Sequence, residues 1–152
     1  MASIDRSDPV ILGHVLAEHH DLFCRITAAR SGFSEPSPSA EHVASVVTTL
    51  QSLRDHLQGH FTQEERGGFL EESVTRMPRL AAAVAAIMRQ HSSLLAELDK
   101  VIASLSSSGG EAGAWQQAGR DFEAFATHMM AHERSENAVV QEGYNEDLGL
   151  LD

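Results

Sequence analysis

The pattern that decides the fold runs through residues 43–64, VASVVTTLQSLRDHLQGHFTQE. Its apolar residues recur every three or four positions, the spacing that places them on one face of an α-helix. Ser39 stands before the pattern as a capping residue, and Gly67-Gly68 follows it. The stretch therefore predicts an amphipathic helix with an inward face formed by Val43, Val46, Leu50, Leu53, Leu57, His60 and Glu64.

Three further stretches show the same periodicity and predict three more helices. One covers about residues 8–30 with Ser7 as its cap, one begins at Pro78 and ends in the Ser/Gly-rich stretch 106–110, and one covers about 114–143. A short segment, 69–75, has room for one or two extra turns. Since no segment alternates as a strand does, we expect an all-α fold, an up-down-up-down antiparallel four-helix bundle. The three inward faces are Leu12, Val15, His19, Leu22 and Ile26; Leu80, Val84, Ile87, His91, Leu94, Leu98, Val101 and Leu105; and Phe122, Phe125, Met129, His132, Glu136 and Val139.

Length and composition limit the possible partners. The chain has 152 residues, 42% of them hydrophobic, and a formal net charge of −11. We expect a single domain over 1–152, with its core at about 8–143 and an acidic tail at 144–152. The negative charge disfavours nucleic acid and membrane surfaces. No run approaches membrane-spanning length, no secretory pattern is visible and one cysteine excludes an internal disulfide, so we expect a cytoplasmic protein.

Polar residues interrupt the apolar faces in a way that predicts a metal site. Each helix carries one inward histidine, and two helices add a glutamate one turn further on. A single histidine on an apolar face is usually a hydrogen-bonded core residue, but buried carboxylates need a positive partner and no Lys or Arg continues these faces. The joint placement therefore favours metal binding by His19, His60, Glu64, His91, His132 and Glu136.

The chemistry of the ligands limits which metals can bind. Imidazole and carboxylate ligands suit iron, zinc and manganese, whereas the lack of paired cysteines argues against iron–sulfur clusters and thiolate zinc sites. Four imidazoles and two carboxylates exceed what a closed tetrahedral zinc site uses. They suffice for two metals if Glu64 and Glu136 each bridge the pair.

Several motifs resemble those of the hemerythrin-like, or HHE cation-binding, domain family. They are His19-His20-Asp21-Leu22-Phe23, His60-Phe61-Thr62-Gln63-Glu64-Glu65, Gln90-His91-Ser92-Ser93-Leu94-Leu95 and His132-Glu133-Arg134-Ser135-Glu136-Asn137. The resemblance covers about residues 8–143. It implies a four-helix bundle that holds two non-haem irons bridged by two carboxylates and an oxo or hydroxo group. It also implies a small ligand or reactant, such as dioxygen, peroxide or nitric oxide.

One departure from the family pattern concerns the third helix. Oxygen carriers of the family place His-x-x-x-His there, whereas here Ile87 stands four residues before His91. One ligand of the carrier site is therefore missing. His56 and His128, each one turn before a proposed ligand, are candidates to fill that position or to support the ligands.

Two other assignments remain open in the sequence. In the last helix, His128 with Glu133 reproduces the carrier spacing, while His132 with Glu136 repeats the pattern of the second helix, and we favour the latter pair. In the first helix, His20 shares a row with Leu16 and Phe23 and is an alternative to His19. His14 and His42, near predicted helix starts, are interpreted as solvated.

Other functions fit the residues less well. A phosphotransfer bundle needs a solvent-facing histidine near Lys or Arg, and a zinc peptidase helix needs a second histidine where Glu136 stands. A metal-free interaction module would leave two buried carboxylates without compensation. No nucleophile or general acid is evident in the sequence, so it does not decide whether the protein is an enzyme.

Overall fold

The computed structural model describes the backbone of residues 8–108 and 110–149 and the side chains of 13–108 and 110–144. Within this part all regular structure is helical: α1 (Asp8–Gly32), α2 (Ala40–Glu65), α3 (Phe69–Arg76), a 3₁₀ turn (Pro78–Leu80), α4 (Ala81–Ser108) and α5 (Ala112–Gly149). The all-α prediction is confirmed for these residues. The predicted cap Ser7, the side chain of Leu12 and residues 150–152 lie outside them.

Local chemistry explains where the helices begin and end. The Ser39 side chain accepts a hydrogen bond from the backbone N–H of His42, which caps α2 as predicted. Gly67 adopts a φ of +99°, a conformation that residues with a side chain rarely adopt, and α2 ends just before it. Pro78 begins the 3₁₀ turn that leads into α4, where its missing N–H costs no helical hydrogen bond.

The predicted end of the last helix at Gly143 is wrong. Helix α5 continues to Gly149, and Tyr144 is buried. Gly143 serves close packing instead of termination, because a Cβ at this position would lie 2.8 Å from Cβ of Ser73 in α3. The neighbouring helix therefore explains this glycine.

The four long helices contact one another in a ring: α1 contacts α2 and α5, and α4 contacts α2 and α5. A large apolar cluster with residues from all four, including Leu50, Leu98 and Phe125, fills one part of the interior. A smaller one, including Val15, Ile87 and Val139, fills another together with α3. Among the described residues, no helix has both the length and the hydropathy to cross a membrane.

Candidate metal centre

The predicted ligands lie in one polar layer between the two apolar clusters. In α1, for example, His19 stands between Val15 of the smaller cluster and Leu22 of the larger one. The layer contains a first ligand group, His19 and His60 with both glutamates, and a second ligand group, His91 and His132 with the same glutamates. Within each group the four ligand atoms lie within 4.8 Å of one another. The structure thus brings together all six residues singled out by the sequence: His19, His60, Glu64, His91, His132 and Glu136.

Each glutamate directs one oxygen to each group. Glu64 places Oε2 2.9 Å from Nε2 of His60 and Oε1 3.0 Å from Nε2 of His91. Glu136 places Oε1 2.8 Å from Nε2 of His19 and Oε2 2.7 Å from Nε2 of His132. The two carboxylates therefore connect the groups, as a pair of bridging ligands does.

The outer nitrogen of each imidazole faces an oxygen of the neighbouring helix. Nδ1 of His19 lies 2.8 Å from Oδ1 of Asn137, and Nδ1 of His91 lies 2.7 Å from Oε2 of Glu65. Nδ1 of His132 lies 2.7 Å from Oε1 of Gln90. The fourth contact is longer, with Nδ1 of His60 at 3.6 Å from Oε1 of Glu18.

The three short contacts fix the tautomer of His19, His91 and His132. Amide and carboxylate oxygens accept hydrogen bonds, so Nδ1 carries the proton and donates it. Nε2 of a neutral ring then presents a lone pair to the interior, which is how histidine binds a metal when another group holds its second nitrogen.

The interior contains buried atoms that lack a hydrogen-bond partner. They are Nε2 of His60, His91 and His132, Oε1 of Glu64 and Oε2 of Glu136. Such atoms are costly to bury unless something else compensates them. For metal–ligand bonds of about 2.1 Å, neighbouring ligands at right angles stand about 3 Å apart, close to the nitrogen–oxygen distances found here. The residues therefore fit a pair of cations.

In the absence of metal, protons compensate the same charges. Burial lowers the pKa of His60, but the adjacent carboxylates of Glu136 and Glu64 outweigh it and raise the pKa to about 10. The pKa values of His19 and His91 are also raised, since their carboxylate partners overcome the effect of burial. Burial raises the pKa of Glu136, but the surrounding imidazoles dominate and hold it below its ordinary value. Protons and cations therefore compete for this layer.

Several alternative residues lie outside the ligand groups. His20 is exposed, with Nε2 3.6 Å from Sγ of Cys24. His128 is exposed and its Nδ1 lies 2.8 Å from a carboxylate oxygen of Glu97, so it does not fill the position that Ile87 leaves. His56 faces Asp21 at 3.4 Å, in a groove on the surface.

Of the two histidines expected to be solvated, one was misjudged. His14 is exposed and faces Glu18 of its own helix at 3.0 Å. His42 is partly buried, and its Nε2–H donates to the carbonyl oxygen of Gly32 at 2.7 Å. It thereby satisfies a carbonyl at the end of α1, which sequence periodicity does not reveal.

Glu133 and Phe61 are the least anticipated residues near the site. Phe61 is buried and stacks on the ring of His91, with centroids 3.9 Å apart. Glu133 is 7% exposed, its Oε2 has no hydrogen-bond partner, and burial raises its pKa to about 7. A carboxyl group is thus buried beside the ligands without belonging to either ligand group.

A constant sequence offset identifies the supporting residues that the periodicity missed. His19 and His91, His60 and His132, and Glu64 and Glu136 are each 72 residues apart. The same offset relates Glu18 to Gln90 and Glu65 to Asn137, the four residues that face the outer nitrogens, and it relates Phe61 to Glu133. The half that contains α1 and α2 thus corresponds to the half that contains α4 and α5. Comparing the two halves of the chain at this offset would have paired these positions, whereas the contacts that they make depend on the fold.

Comparison with known proteins agrees with this arrangement. Neither the curated proteins nor the solved structures contain a significant match to the chain. The family model of the hemerythrin HHE cation-binding domain matches residues 11–142. These residues include both ligand groups and all four residues that face the outer nitrogens. The chain therefore belongs to the hemerythrin HHE cation-binding domain family.

Proposed function

We propose that this protein binds two iron ions, one at each ligand group, and that the pair reacts with or senses a small oxidant such as dioxygen, peroxide or nitric oxide. The chain belongs to a cation-binding family whose members typically bind iron, which supports the proposal that this protein binds a metal. The observation that carries the two-ion proposal is the division of each carboxylate: Glu64 and Glu136 each direct one oxygen to each pair of imidazoles.

The proposal includes an up-down-up-down antiparallel bundle in a single domain. The ring of contacts among α1, α2, α4 and α5 supports it, as does the correspondence between the two halves of the chain. In such a bundle, ligands from successive helices meet in one layer only if each lies at the matching depth. The contacts across the layer satisfy that requirement.

The surroundings favour a small reactant. A cavity of about 90 Å³ is lined by His19 and His60 together with the apolar residues Val15, Leu70 and Val140. It has room for a few atoms and not for a metabolite of ordinary size. A larger groove of about 550 Å³ between α1 and α2 includes His60 in its wall and opens toward solvent. We propose that small molecules approach from this side.

Iron and the residues around it would have separate roles. Iron would supply the oxidation and reduction chemistry. Four Nε2 atoms and the two carboxylates would bind the ions, while Asn137, Glu65 and Gln90 keep the proton on Nδ1 and so keep Nε2 free to coordinate. The apolar residues of the cavity would limit access by water.

Metal content tests this proposal. Protein stripped with a chelator, reconstituted with ferrous iron under nitrogen and freed of excess metal should hold close to two irons per chain. Dioxygen or peroxide, each added separately, should change its near-ultraviolet absorption, because both oxidise ferrous iron and ferric ions with imidazole and carboxylate ligands absorb there. Nitric oxide should also change the absorption, because it binds to ferrous iron.

A matched pair of variants makes the test specific to the site. Glu64→Ala removes an oxygen from both ligand groups and should lower the iron content and the melting temperature of the loaded protein. Glu41→Ala removes an exposed carboxylate from the other end of α2 and should leave the iron content unchanged. Equal losses in both variants contradict the site, and wild-type content well below one metal per chain with iron, zinc and manganese contradicts metal binding.

A phosphotransfer role receives no comparable support. A phosphate-accepting imidazole must reach solvent, so His19, His91 and His132, which are buried and point Nε2 at carboxylates, do not fit that role. The exposed His14 and His128 each face a glutamate carboxylate.

A further inference from the structure

The residues that face the outer nitrogens differ in charge between the two halves of the chain. The first half supplies carboxylates, Glu18 and Glu65, and the second half supplies amides, Gln90 and Asn137, at the corresponding positions. Each residue contacts a histidine of the next helix around the ring. Every ligand group therefore contains one imidazole that faces a carboxylate and one that faces an amide.

The two carboxylate contacts are not equivalent. Nδ1 of His91 lies 2.7 Å from Glu65, a short hydrogen bond, and the ring is also stacked on Phe61. Nδ1 of His60 lies 3.6 Å from Glu18, whose other oxygen lies 3.0 Å from Nε2 of the exposed His14. Among the described residues, only the second ligand group therefore has an outer imidazole nitrogen hydrogen-bonded to a carboxylate.

A carboxylate on the outer nitrogen changes what the inner nitrogen does. A hydrogen bond from Nδ1–H to an ionised group is about twice as strong as one to a neutral amide, and it draws the proton away from the ring. The ring then donates more electron density through Nε2, which stabilises the more highly charged state of a bound metal.

We propose that Glu65 is a positioning residue that acts through His91 to lower the reduction potential of the iron at the second ligand group. Gln90, which holds His132 in the same group, is its neutral counterpart. This inference rests on the proposed iron site and adds which residue sets its redox behaviour. Because half of the Glu65 side chain is exposed, water screens its direct charge, and the effect depends on the hydrogen bond to His91.

The two residues permit a reciprocal exchange. Glu65→Gln keeps an oxygen that accepts from Nδ1 but removes the charge, so the midpoint potential of the iron-loaded protein should rise. Gln90→Glu adds a carboxylate to His132 and should lower the potential. The double variant should return toward the wild-type value, because one imidazole of the group again faces a carboxylate.

A redox titration followed by the ferric absorption measures these shifts, with iron content and melting temperature recorded for each variant. We expect Glu65→Gln to change the ratio of reduced to oxidised iron at least tenfold at a fixed potential, about 59 mV for one electron. Glu97→Gln is the control, since it removes a carboxylate from His128, an imidazole outside both ligand groups. Its potential should equal that of the wild type.

The outcomes separate this inference from the function it rests on. A wild-type protein without iron overturns both. Full iron in Glu65→Gln with an unchanged potential overturns the role of Glu65 alone, as does an equal shift in Glu97→Gln. If Glu65→Gln fails to retain iron, the midpoint potential of Gln90→Glu tests the proposal instead. An unchanged or raised potential in that variant refutes it.

Discussion

Replacement of Glu133 by glutamine should stabilise the metal-free protein in a pH-dependent way. The carboxyl group is 7% exposed, Oε2 has no hydrogen-bond partner, and burial raises its pKa from 4.5 to about 7. The folded state therefore favours the protonated form. The stability this gives is fully present below pH 4.5 and is lost as the pH rises through 7.

The pKa difference sets the size of the effect. At about 1.36 kcal/mol for each pKa unit, ionising Glu133 costs the folded state about 3 kcal/mol above pH 7. Glutamine stays neutral and avoids that cost. The free energy of unfolding of Glu133→Gln, relative to wild type, should thus rise by about 3 kcal/mol between acidic and mildly alkaline pH.

Urea denaturation of chelator-treated protein across this pH range measures the difference. Glu123→Gln, an exposed carboxylate of the same helix, should show no such rise. In iron-loaded protein the gain should shrink, since nearby cations favour an ionised Glu133. A difference between Glu133→Gln and wild type that is the same at every pH would refute the reasoning.

Three further predictions follow from neighbouring contacts. The raised pKa of His60 means that its protonation stabilises the metal-free protein below pH 6.5, and that this stabilisation is lost as the pH rises through about 10. The increase in melting temperature on iron binding should therefore grow over that interval. An increase that is the same at every pH contradicts competition between protons and iron. Dioxygen should oxidise the wild-type ferrous protein and should not be released again from it. Ile87→His should lower the free energy of unfolding of the metal-free protein by about 1–3 kcal/mol in denaturation, and that of the iron-loaded protein by less. Equal losses in the two forms count against a ligand role for a histidine at position 87. His42→Ala should lower the free energy of unfolding by about 1 kcal/mol, through its bond to Gly32, while iron content stays unchanged; a loss of iron would show a role in the site.

Much of the helical pattern followed from local rules. The spacing of apolar residues predicted four long helices, and Ser39, Gly67 and Pro78 marked boundaries that the structure confirms, because capping and backbone conformation depend on neighbouring residues in the chain. The end of α5 was missed for the opposite reason. From the sequence, Gly143 indicates a helix end, whereas in the structure it permits close contact with α3.

The ligand groups were partly readable in the same way. Periodicity placed His19, His60, His91 and His132 on inward faces, and the structure brings them together with Glu64 and Glu136. Their role as metal ligands remains a prediction. His132 and His128 have the same side chain, so periodicity distinguished them only by the face of the helix on which each lies.

The sequence by itself determined the helices, their inward faces and the residue types that meet there, because a helical period and a side chain's chemistry are properties of the local chain. Only the tertiary structure decided which oxygen faces which nitrogen. Glu65 reaches His91, Asn137 reaches His19 and Oε2 of Glu133 is buried without a hydrogen-bond partner because neighbouring helices approach at particular depths and rotations. Contacts between distant segments depend on that packing, and local periodicity carries no information about it.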